Sequence, residues 1–390
     1  MPKELIILKM GEVVLKGLNR DNFENTLLKN MRRRLEGLGE FKVYRSQSTA
    51  YCEPLTDDCD MDEAFERLCK VFGFVALARC AVVEKDMAKI LEAAGDYLAP
   101  QLSAVRTFKV NAKRSDKGFP KKSPEICADV GEYLLEKFPH LKVDVLEPQV
   151  TVTVEIRDFG AYIHADAVKG AGGLPVGTSK KALLLLSGGI DSPVAGHMIA
   201  KRGVFISAVY FETPPYTGAA AKEKVVSLAK TLKPWCGAIN LFSVSLTKVQ
   251  EALYANCREE YFTLLLRRFM MRCAAELAKR EDCLALVTGE SVGQVASQTI
   301  PALAVTGDAA GGLPVLRPLI GLDKEEIIVR SRQIGAFDIS VLPYEDCCAM
   351  FTPKHPKTNP SLADVLEEEV KIDVAALTDE AMATLEKIPL

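Results

Sequence analysis

An unbroken apolar run that ends in a polar, glycine-containing turn sets the tightest limit on the fold of this chain. The run ALLLL (residues 182–186) has the length and composition of a strand buried on both faces. The helical pattern SPVAGHMIAKRG follows it, and the apolar runs VFISAVYF, AINLFSVSL and CLALVTGE then alternate with further helical patterns. This alternation predicts a doubly wound parallel sheet with helices on both faces.

The N-terminal half predicts an α+β architecture instead. Strand patterns such as ELIILKM, TFKVNAKRS and VTVTVEIRDFGAYIHADAV are separated by helical patterns such as MDEAFERLCKVFG. We expect a first domain at residues 1–60, a second at 61–167, a glycine-rich linker at 168–178 and the α/β domain at 179–390. The acidic tail from residue 361 predicts helices packed on the outside.

Composition narrows the class and the compartment. The chain is 48% apolar and 26% charged, as soluble globular proteins are. No stretch of about 18 uncharged apolar residues suggests a membrane helix, so we expect no membrane partner. The eleven cysteines form no CxxC pattern and there are only four histidines, so the spacing of a zinc or iron–sulfur site is missing. A reducing cytoplasmic location is expected.

Positive charge is concentrated in the N-terminal half. Residues 1–50 carry ten Lys and Arg against six Asp and Glu, and residues 105–125 carry seven against two. This asymmetry favours an anionic partner such as nucleic acid, although a merely solvated basic surface would show the same composition. The stretch KRSDKGFPKKS adds Phe119, an aromatic residue suited to unstacked bases. The candidate RNA-binding residues are Arg32, Arg33, Lys113, Arg114, Lys117, Lys121 and Lys122.

The turn SGGIDS after the apolar run has the chemistry of a phosphate site. Gly188 and Gly189 let the backbone approach an anion closely, and Ser187 and Ser192 add hydroxyl groups. Asp191 suits a phosphate site when Mg²⁺ bridges the carboxylate and the phosphate oxygens. The alternative is an ordinary strand-to-helix turn in which Asp191 only caps the helix.

SGGIDS resembles the pyrophosphate loop (PP-loop) of the ATP pyrophosphatase superfamily, but this motif is shared by several kinds of enzyme. Further blocks resemble the tRNA 4-thiouridine synthase (tRNA sulfurtransferase) family along nearly the whole chain. They are GEVVLKGLNRDNF, VNAKRSDKGFPKKSPEI, EIRDFGAYIHAD, GGLPVGTS, LVTGESVGQVASQT and LRPLIGLDKEEII. The resemblance implies a ferredoxin-like domain, a THUMP RNA-binding domain and a PP-loop ATP pyrophosphatase domain, in that order.

The resemblance also implies a reaction. Oxygen 4 of uridine 8 in tRNA would be adenylated by MgATP, and persulfide sulfur would displace AMP to give 4-thiouridine, with a possible further role in thiazole and thiamine synthesis. The implied cofactor-binding residues, several of which could equally be core or surface residues, are Leu185, Leu186, Ser187, Gly188, Gly189, Asp191, Ser192, Tyr210, Phe211, Arg267, Gly289 and Gln298. Tyr210 departs from the histidine that the family often has there.

The sequence YEDCCAMF holds the cysteines best suited to sulfur chemistry. Lys354, His355 and Lys357 follow them and could lower a thiol pKa, whereas a pair of half-buried structural cysteines is the alternative. The resemblance implies Cys347 as the catalytic cysteine, with Cys348 second, beside Asp191. A length of 390 residues leaves no room for the rhodanese domain of long family members. We therefore expect sulfur to come from a cysteine desulfurase or from free sulfide.

Two other functions stay open at this point. The chain could be another adenylating tRNA-modifying enzyme that transfers a different nucleophile. It could also be a non-catalytic RNA-binding protein whose phosphate loop is vestigial, although Ser187, Asp191 and Ser192 are all present. The family commonly forms homodimers, so a homodimer is possible.

Overall fold

The computed structural model describes residues 3–344 and 353–390. The chain divides into two compact units, Met1–Leu174 and Pro175–Leu390. The candidate residues Cys347 and Cys348 lie outside the described residues. In the part of the chain that the structure describes, none of the helices combines the length and apolar character needed to cross a bilayer.

The first unit is built on a nine-stranded sheet with helices packed on it. The strands are β1 (Lys3–Met10), β2 (Phe41–Ser46), β3 (Thr49–Pro54), β4 (Phe74–Val83), β5 (Thr107–Arg114), β6 (Lys142–Val143), β7 (Val150–Arg157), β8 (Gly160–His164) and β9 (Val168–Lys169). The helices are α1 (Arg20–Leu35), α2 (Met61–Cys69), α3 (Met87–Tyr97), α4 (Ala99–Ser103) and α5 (Ser123–Lys137). The strand order is β2-β3-β1-β4-β8-β7-β5-β6, and β9 pairs with β4.

Among the described residues, two hydrophobic cores pack helices against this sheet, and a third cluster lies among the strands β1, β3, β4 and β8. The first joins α1 and α2 to strands β1 and β4, and it includes Ala64, Leu68 and Phe74, all of which follow residue 60. The second packs α3 and α5 against β5, β7 and β8. Because a domain keeps its own core, we propose that the boundary between the first two domains lies near residue 80. Strand β9 extends the first sheet into the segment expected to be a linker.

The second unit contains the expected α/β alternation. Its strands are β10 (Lys181–Leu185), β11 (Phe205–Glu212), β12 (Asn240–Ser245), β13 (Leu286–Val287), β14 (Val315–Leu316) and β15 (Glu386–Ile388). Its helices are α6 (Asp191–Ala200), α7 (Ala219–Cys236), α8 (Thr247–Asn256), α9 (Phe262–Arg280), α10 (Ile300–Asp308), α11 (Lys324–Gln333), α12 (Phe337–Ser340), α13 (Leu362–Glu369) and α14 (Val374–Ala383).

The second sheet has the order β14-β13-β10-β11-β12-β15. Strands β10 to β14 pair in parallel, which confirms the predicted sheet, and β15 closes one edge in the antiparallel direction. The helices begin where the apolar strands end, so the carboxyl ends of β10, β11 and β13 meet at one edge. In sheets of this kind, ligands bind at that edge.

Helices α13 and α14 are exposed on one side, as expected for outer helices, and their other side is buried. Val365 of α13 and Met382 of α14 belong to the main core of the second unit. Glu369 is buried and forms ion pairs with Arg268 and Arg272 of α9. Buried carboxylates are tolerated when they are paired in this way. The ion pairs of Glu369 therefore attach α13 to α9.

Candidate functional site

The turn between β10 and α6 is closed by its own serines. The backbone N–H of Ser187 donates to Ser192 Oγ at 2.9 Å, and the two hydroxyl oxygens lie 3.2 Å apart. Ser340 Oγ of α12 also donates to the Gly189 carbonyl, at 3.3 Å. These bonds hold the loop at the amino-terminal end of α6, where helix N–H groups create positive potential for an anion.

Gly289 allows a second loop to approach this turn closely. It follows β13, and a Cβ atom added there would lie 2.8 Å from Ser192 N and 2.9 Å from the Asp191 carbonyl carbon. Both are backbone atoms, which cannot rotate out of the way. The absence of a side chain at this position is therefore what brings the two loops together.

Asp191 is the first residue of α6, and its side chain does not cap the helix. Its carboxylate accepts from Lys324 Nζ at 2.7 Å and from Gln294 Nε2 at 2.8 Å. The alternative of a simple helix cap is therefore wrong. The carboxylate instead faces a lysine at the start of α11, in a position to contact cationic or phosphate-bound groups.

A cavity of about 260 Å³ opens beside the turn. Ten of the twelve predicted cofactor-binding residues line it, and Gly188 and Gly189 do not. The ten are Leu185, Leu186, Ser187, Asp191, Ser192, Tyr210, Phe211, Arg267, Gly289 and Gln298. Its volume is near the lower end of the range for small-molecule sites. Apolar side chains and a phosphate-type turn thus meet in one cavity, as a purine nucleotide requires.

A cluster of charged residues forms one wall of the cavity. Glu290 is only 6% exposed, and its Oε1 accepts from Arg267 Nη1 at 2.9 Å. Its Oε2 accepts from Arg317 Nε at 2.7 Å and from Thr288 Oγ1 at 2.9 Å. Arg267 is therefore more than the helix-surface charge that its place in α9 could have suggested.

Several residues at the site escaped the sequence analysis. Met270, Met271 and Thr306 line the cavity, and Lys324, Gln294 and Arg317 support it from outside. The signal available in the sequence was position: Thr288 and Arg317 directly follow β13 and β14 at the carboxyl edge of the sheet, and Glu290 comes three residues after β13. The two methionines lie on the inner face of α9, where sequence periodicity indicates only core.

No disulfide joins the nine described cysteines, and most of them are poorly suited to thiolate chemistry. Burial raises the pKa of Cys52 and of Cys273 to about 12, and that of Cys283 to about 11. The chain on both sides of the segment with Cys347 and Cys348 is anchored. Lys224 Nζ donates to the Leu342 carbonyl at 2.8 Å, and the Lys354 N–H donates to Glu259 Oε1 at 3.1 Å.

The candidate RNA-binding residues of the first unit separate into two groups. Arg32 donates to the Val43 carbonyl, Arg114 donates to the Phe119 and Lys121 carbonyls, and Lys121 pairs with Asp129. Within the described chain, the side chains of the other four form no hydrogen bond or ion pair; they are Arg33, Lys113, Lys117 and Lys122. Phe119 is 6% exposed and belongs to the second core of the unit, so the expectation that it stacks on bases is wrong.

The donor set fits an adenine nucleotide, and it fits Mg²⁺ only together with phosphate oxygens. Among residues 3–344 and 353–390, no group of three or more His, Cys, Asp or Glu side chains could hold a metal. Of the two described carboxylates that line the cavity, Glu290 is bound by two arginines, whereas Asp191 belongs to the turn and accepts from one lysine and one amide. One carboxylate with phosphate oxygens and water is a common Mg²⁺ environment.

The fold and this cavity define a class of protein: a PP-loop α/β domain preceded by ferredoxin-like and THUMP domains. The family model described as "Thiamine biosynthesis protein (ThiI)" matches residues 177–374. The models described as "ThiI ferredoxin-like domain" and "THUMP domain" match residues 5–78 and 84–166.

Relatives along the full length agree with these matches. A probable tRNA sulfurtransferase of Lachnoclostridium phytofermentans is 48% identical, and one of Alkaliphilus oremlandii is 46% identical; each alignment covers 98% of both chains. A crystal structure of a 4-thiouridine synthetase–RNA complex with bound ATP is 36% identical, with a TM-score of 0.89, over 99% of this chain and 100% of that one. The chain belongs to the tRNA sulfurtransferase (ThiI) family.

Proposed function

We propose that this protein is an ATP-dependent tRNA sulfurtransferase that converts uridine 8 to 4-thiouridine. In the first step, oxygen 4 of the uridine attacks the α-phosphate of ATP and pyrophosphate leaves. In the second, the outer sulfur of a persulfide attacks ring carbon 4 and AMP leaves; a second thiol then attacks the inner sulfur, forms a disulfide with it and releases 4-thiouridine. Family membership supports the thiolation of tRNA, and the solved relative was crystallised with both RNA and ATP.

The observation that carries the proposal is the joining of an apolar cavity to a phosphate-type turn. Leu185, Phe211 and Met270 supply apolar surface for a purine ring. Gly188, Gly189 and the first turn of α6 would bind the phosphates through backbone N–H groups. A vestigial loop would not need the Gly289 contact, which excludes any side chain at that position.

Asp191 and Lys324 have complementary roles in this proposal. A bound Mg²⁺ would supply positive charge between the phosphate oxygens, with Asp191 as its protein ligand. Lys324 already pairs with Asp191 at 2.7 Å, so it orients the carboxylate and adds a cation near the phosphates. In this proposal both groups would stabilise the negative charge that develops as pyrophosphate leaves.

The sulfur step is assigned to Cys347, with Cys348 as the second candidate. The raised pKa values of the buried cysteines leave few other thiols for this chemistry. We propose a cysteine desulfurase as the sulfur donor, with free sulfide as the alternative source. A homodimer and a contribution of sulfur to thiazole synthesis remain part of the proposal.

Mass spectrometry of tRNA tests the reaction directly. Unmodified tRNA is incubated with the protein, MgATP, cysteine and a cysteine desulfurase, and digested nucleosides are analysed. The expected product is 4-thiouridine at position 8, with pyrophosphate released. Pyrophosphate release without sulfur gain would indicate a different adenylating modification, and release of neither would indicate RNA binding alone.

Substitutions then assign the roles. Asp191→Ala is expected to lower the thiolation rate by roughly a thousandfold, because charge stabilisation at the phosphates is lost. Asp338→Ala, which removes an exposed carboxylate of α12, is the control. Cys347→Ser and Cys348→Ser are assayed separately with desulfurase and with sulfide. Cys347→Ser is expected to keep pyrophosphate release and lose sulfur transfer from desulfurase, and full activity would move the assignment to Cys348.

A further inference from the structure

The proposed function leaves Arg317 without a role. This residue directly follows β14, at the carboxyl edge of the sheet, and it does not line the cavity. Its side chain is 19% exposed, and it donates two hydrogen bonds to other residues of the second unit. Nε donates to Glu290 Oε2 at 2.7 Å, and Nη2 donates to the Leu303 carbonyl of α10 at 3.3 Å.

Glu290 connects Arg317 to the cavity. Its side chain is 8% exposed and lies between Arg317 and Arg267. Each carboxylate oxygen accepts from one guanidinium, and Thr288 Oγ1 donates to the same oxygen as Arg317. Hydrogen bonds between ionised groups are stronger than neutral ones, so this arrangement fixes the position of Arg267 from behind.

The charge balance of this trio is positive. A carboxylate that faced Arg267 alone would cancel the charge of that guanidinium. Because Arg317 shares the carboxylate, one positive charge remains, and Arg267 is the member of the two that lines the cavity. Within the described residues, only Nη1 of Arg267 makes hydrogen bonds, to Glu290 and to the Ser297 carbonyl. Among the described residues nothing accepts from Nε or Nη2, so these groups can donate to a ligand.

We propose that Arg317 is a positioning residue that maintains the positive charge of the nucleotide site. By binding Glu290, it keeps Arg267 both oriented and electrostatically available to an anionic ligand, here the polyphosphate of an adenine nucleotide. The inference rests on the proposed function, since it takes ATP as the ligand. Arg317, the arginine of the sequence LRPL, then favours the binding of a charged ligand without contacting that ligand.

The experiment separates charge from shape by comparing two ligands. Dissociation constants of ATP and of uncharged adenosine are measured by isothermal titration calorimetry on the full chain and on Arg317→Met. Removing the positive charge of Arg317 is expected to weaken ATP binding about tenfold. Adenosine binding is expected to weaken by less than about twofold. Arg317→Lys keeps the charge and is expected to recover most of the ATP affinity.

The control and a second measurement decide the outcome. Arg272 lies on α9, as Arg267 does, but it pairs with Glu369 of α13 and does not line the cavity, so Arg272→Met should leave ATP affinity unchanged. Raising the salt concentration should weaken ATP binding less steeply in Arg317→Met than in the unaltered protein. Equal losses for ATP and adenosine, or an unchanged ATP affinity and salt response, would overturn the role of Arg317. Failure of the unaltered protein to bind ATP would instead overturn the proposed function.

Discussion

The residues proposed to bind a nucleotide in the second unit and the basic residues of the first unit were both selected from sequence, but their surroundings in the structure differ. Ten of twelve selected residues line one cavity in the second unit. In the first unit, three of the seven selected cations are bound to carbonyls or a carboxylate of the same unit, namely Arg32, Arg114 and Lys121. A sequence motif that also fixes a position in the fold therefore predicts the location of a site better than a cluster of positively charged residues does.

The reason is that the two sequence patterns differ in how much of the three-dimensional arrangement they determine. The order of apolar strand, glycine turn and helix fixes the backbone, and the backbone then determines which loops meet at the edge of the sheet. Charge has no such geometry, because a lysine or arginine can serve its own domain as readily as a partner. Arg114 illustrates the second case, since its guanidinium holds the carbonyls of Phe119 and Lys121.

The largest effect expected in this comparison of the two units tests how strictly the cavity depends on the close approach of its two loops. Gly289→Ala would place a Cβ atom 2.8 Å from Ser192 N, so the two loops must separate. A displacement of about 1 Å at a reacting centre can cost roughly a hundredfold in rate, and we expect a loss of that order in kcat/KM for ATP. The measurement is pyrophosphate release with tRNA present at saturation.

Gly321→Ala is the matched control for this substitution. It lies in the same unit, has open space around an added Cβ atom and does not require a positive φ. We expect its ATP kinetics to stay within about twofold of the unaltered protein, since surface substitutions have small effects. Unchanged kinetics in Gly289→Ala would show that the turn tolerates displacement. The cavity would then depend less on backbone geometry, and it would differ less from the basic residues of the first unit.

The two units are also expected to differ in acid stability. In the second unit, burial and the nearby cations Lys201 and Arg330 lower the pKa of His197 from 6.5 to about 4. The unfolded state therefore binds more protons between these values, and stability falls as pH decreases from 6.5 to 4. We expect a loss of about 3 kcal/mol in this window. In the first unit, Lys9, Arg157 and His164 hold the pKa of Glu155 well below 4.5, so its contribution is lost only at lower pH.

The single tryptophan makes the second unit separately observable. Trp235 packs edge-on against His197, with ring centroids 5.0 Å apart. Urea unfolding followed by its fluorescence should lose stability between pH 6.5 and 4, and His197→Gln should remove part of that loss. His355→Gln, at an exposed position, should not. An identical pH profile for His197→Gln and the unaltered protein would contradict the lowered pKa.

Local pattern predicted the elements, whereas long-range packing decided the exceptions. The strands and helices around the turn follow from apolar runs and glycines, and the family blocks correctly indicated the order of domains. The burial of Glu369 could not be predicted, because its arginine partners lie about 100 residues away in the chain. For the same reason, Lys324 had no local signal of its contact with Asp191, 133 residues away.

The smallest expected effect tests whether exposure or sequence charge selects RNA contacts. Lys117 is exposed and has no bonding partner among the described residues, whereas Arg114 donates two hydrogen bonds of 2.9 Å to loop carbonyls. Lys117→Met should weaken tRNA binding about threefold and reduce the salt dependence by about one phosphate contact. Arg114→Met should instead lower the free energy of unfolding by about 1–2 kcal/mol, because the carbonyls lose a charged donor.

Both variants are compared by filter binding over a range of salt concentrations and by urea unfolding. Because the two residues lie three positions apart on one basic stretch, local charge predicts equal effects on tRNA affinity. Exposure predicts that only Lys117→Met changes affinity, since the Arg114 guanidinium already serves its own loop. A loss of affinity in Arg114→Met at unchanged stability would show that this arginine exchanges its loop carbonyls for phosphates when RNA binds. The first unit would then resemble the second, as a site in which internal partners hold charges in place for a ligand.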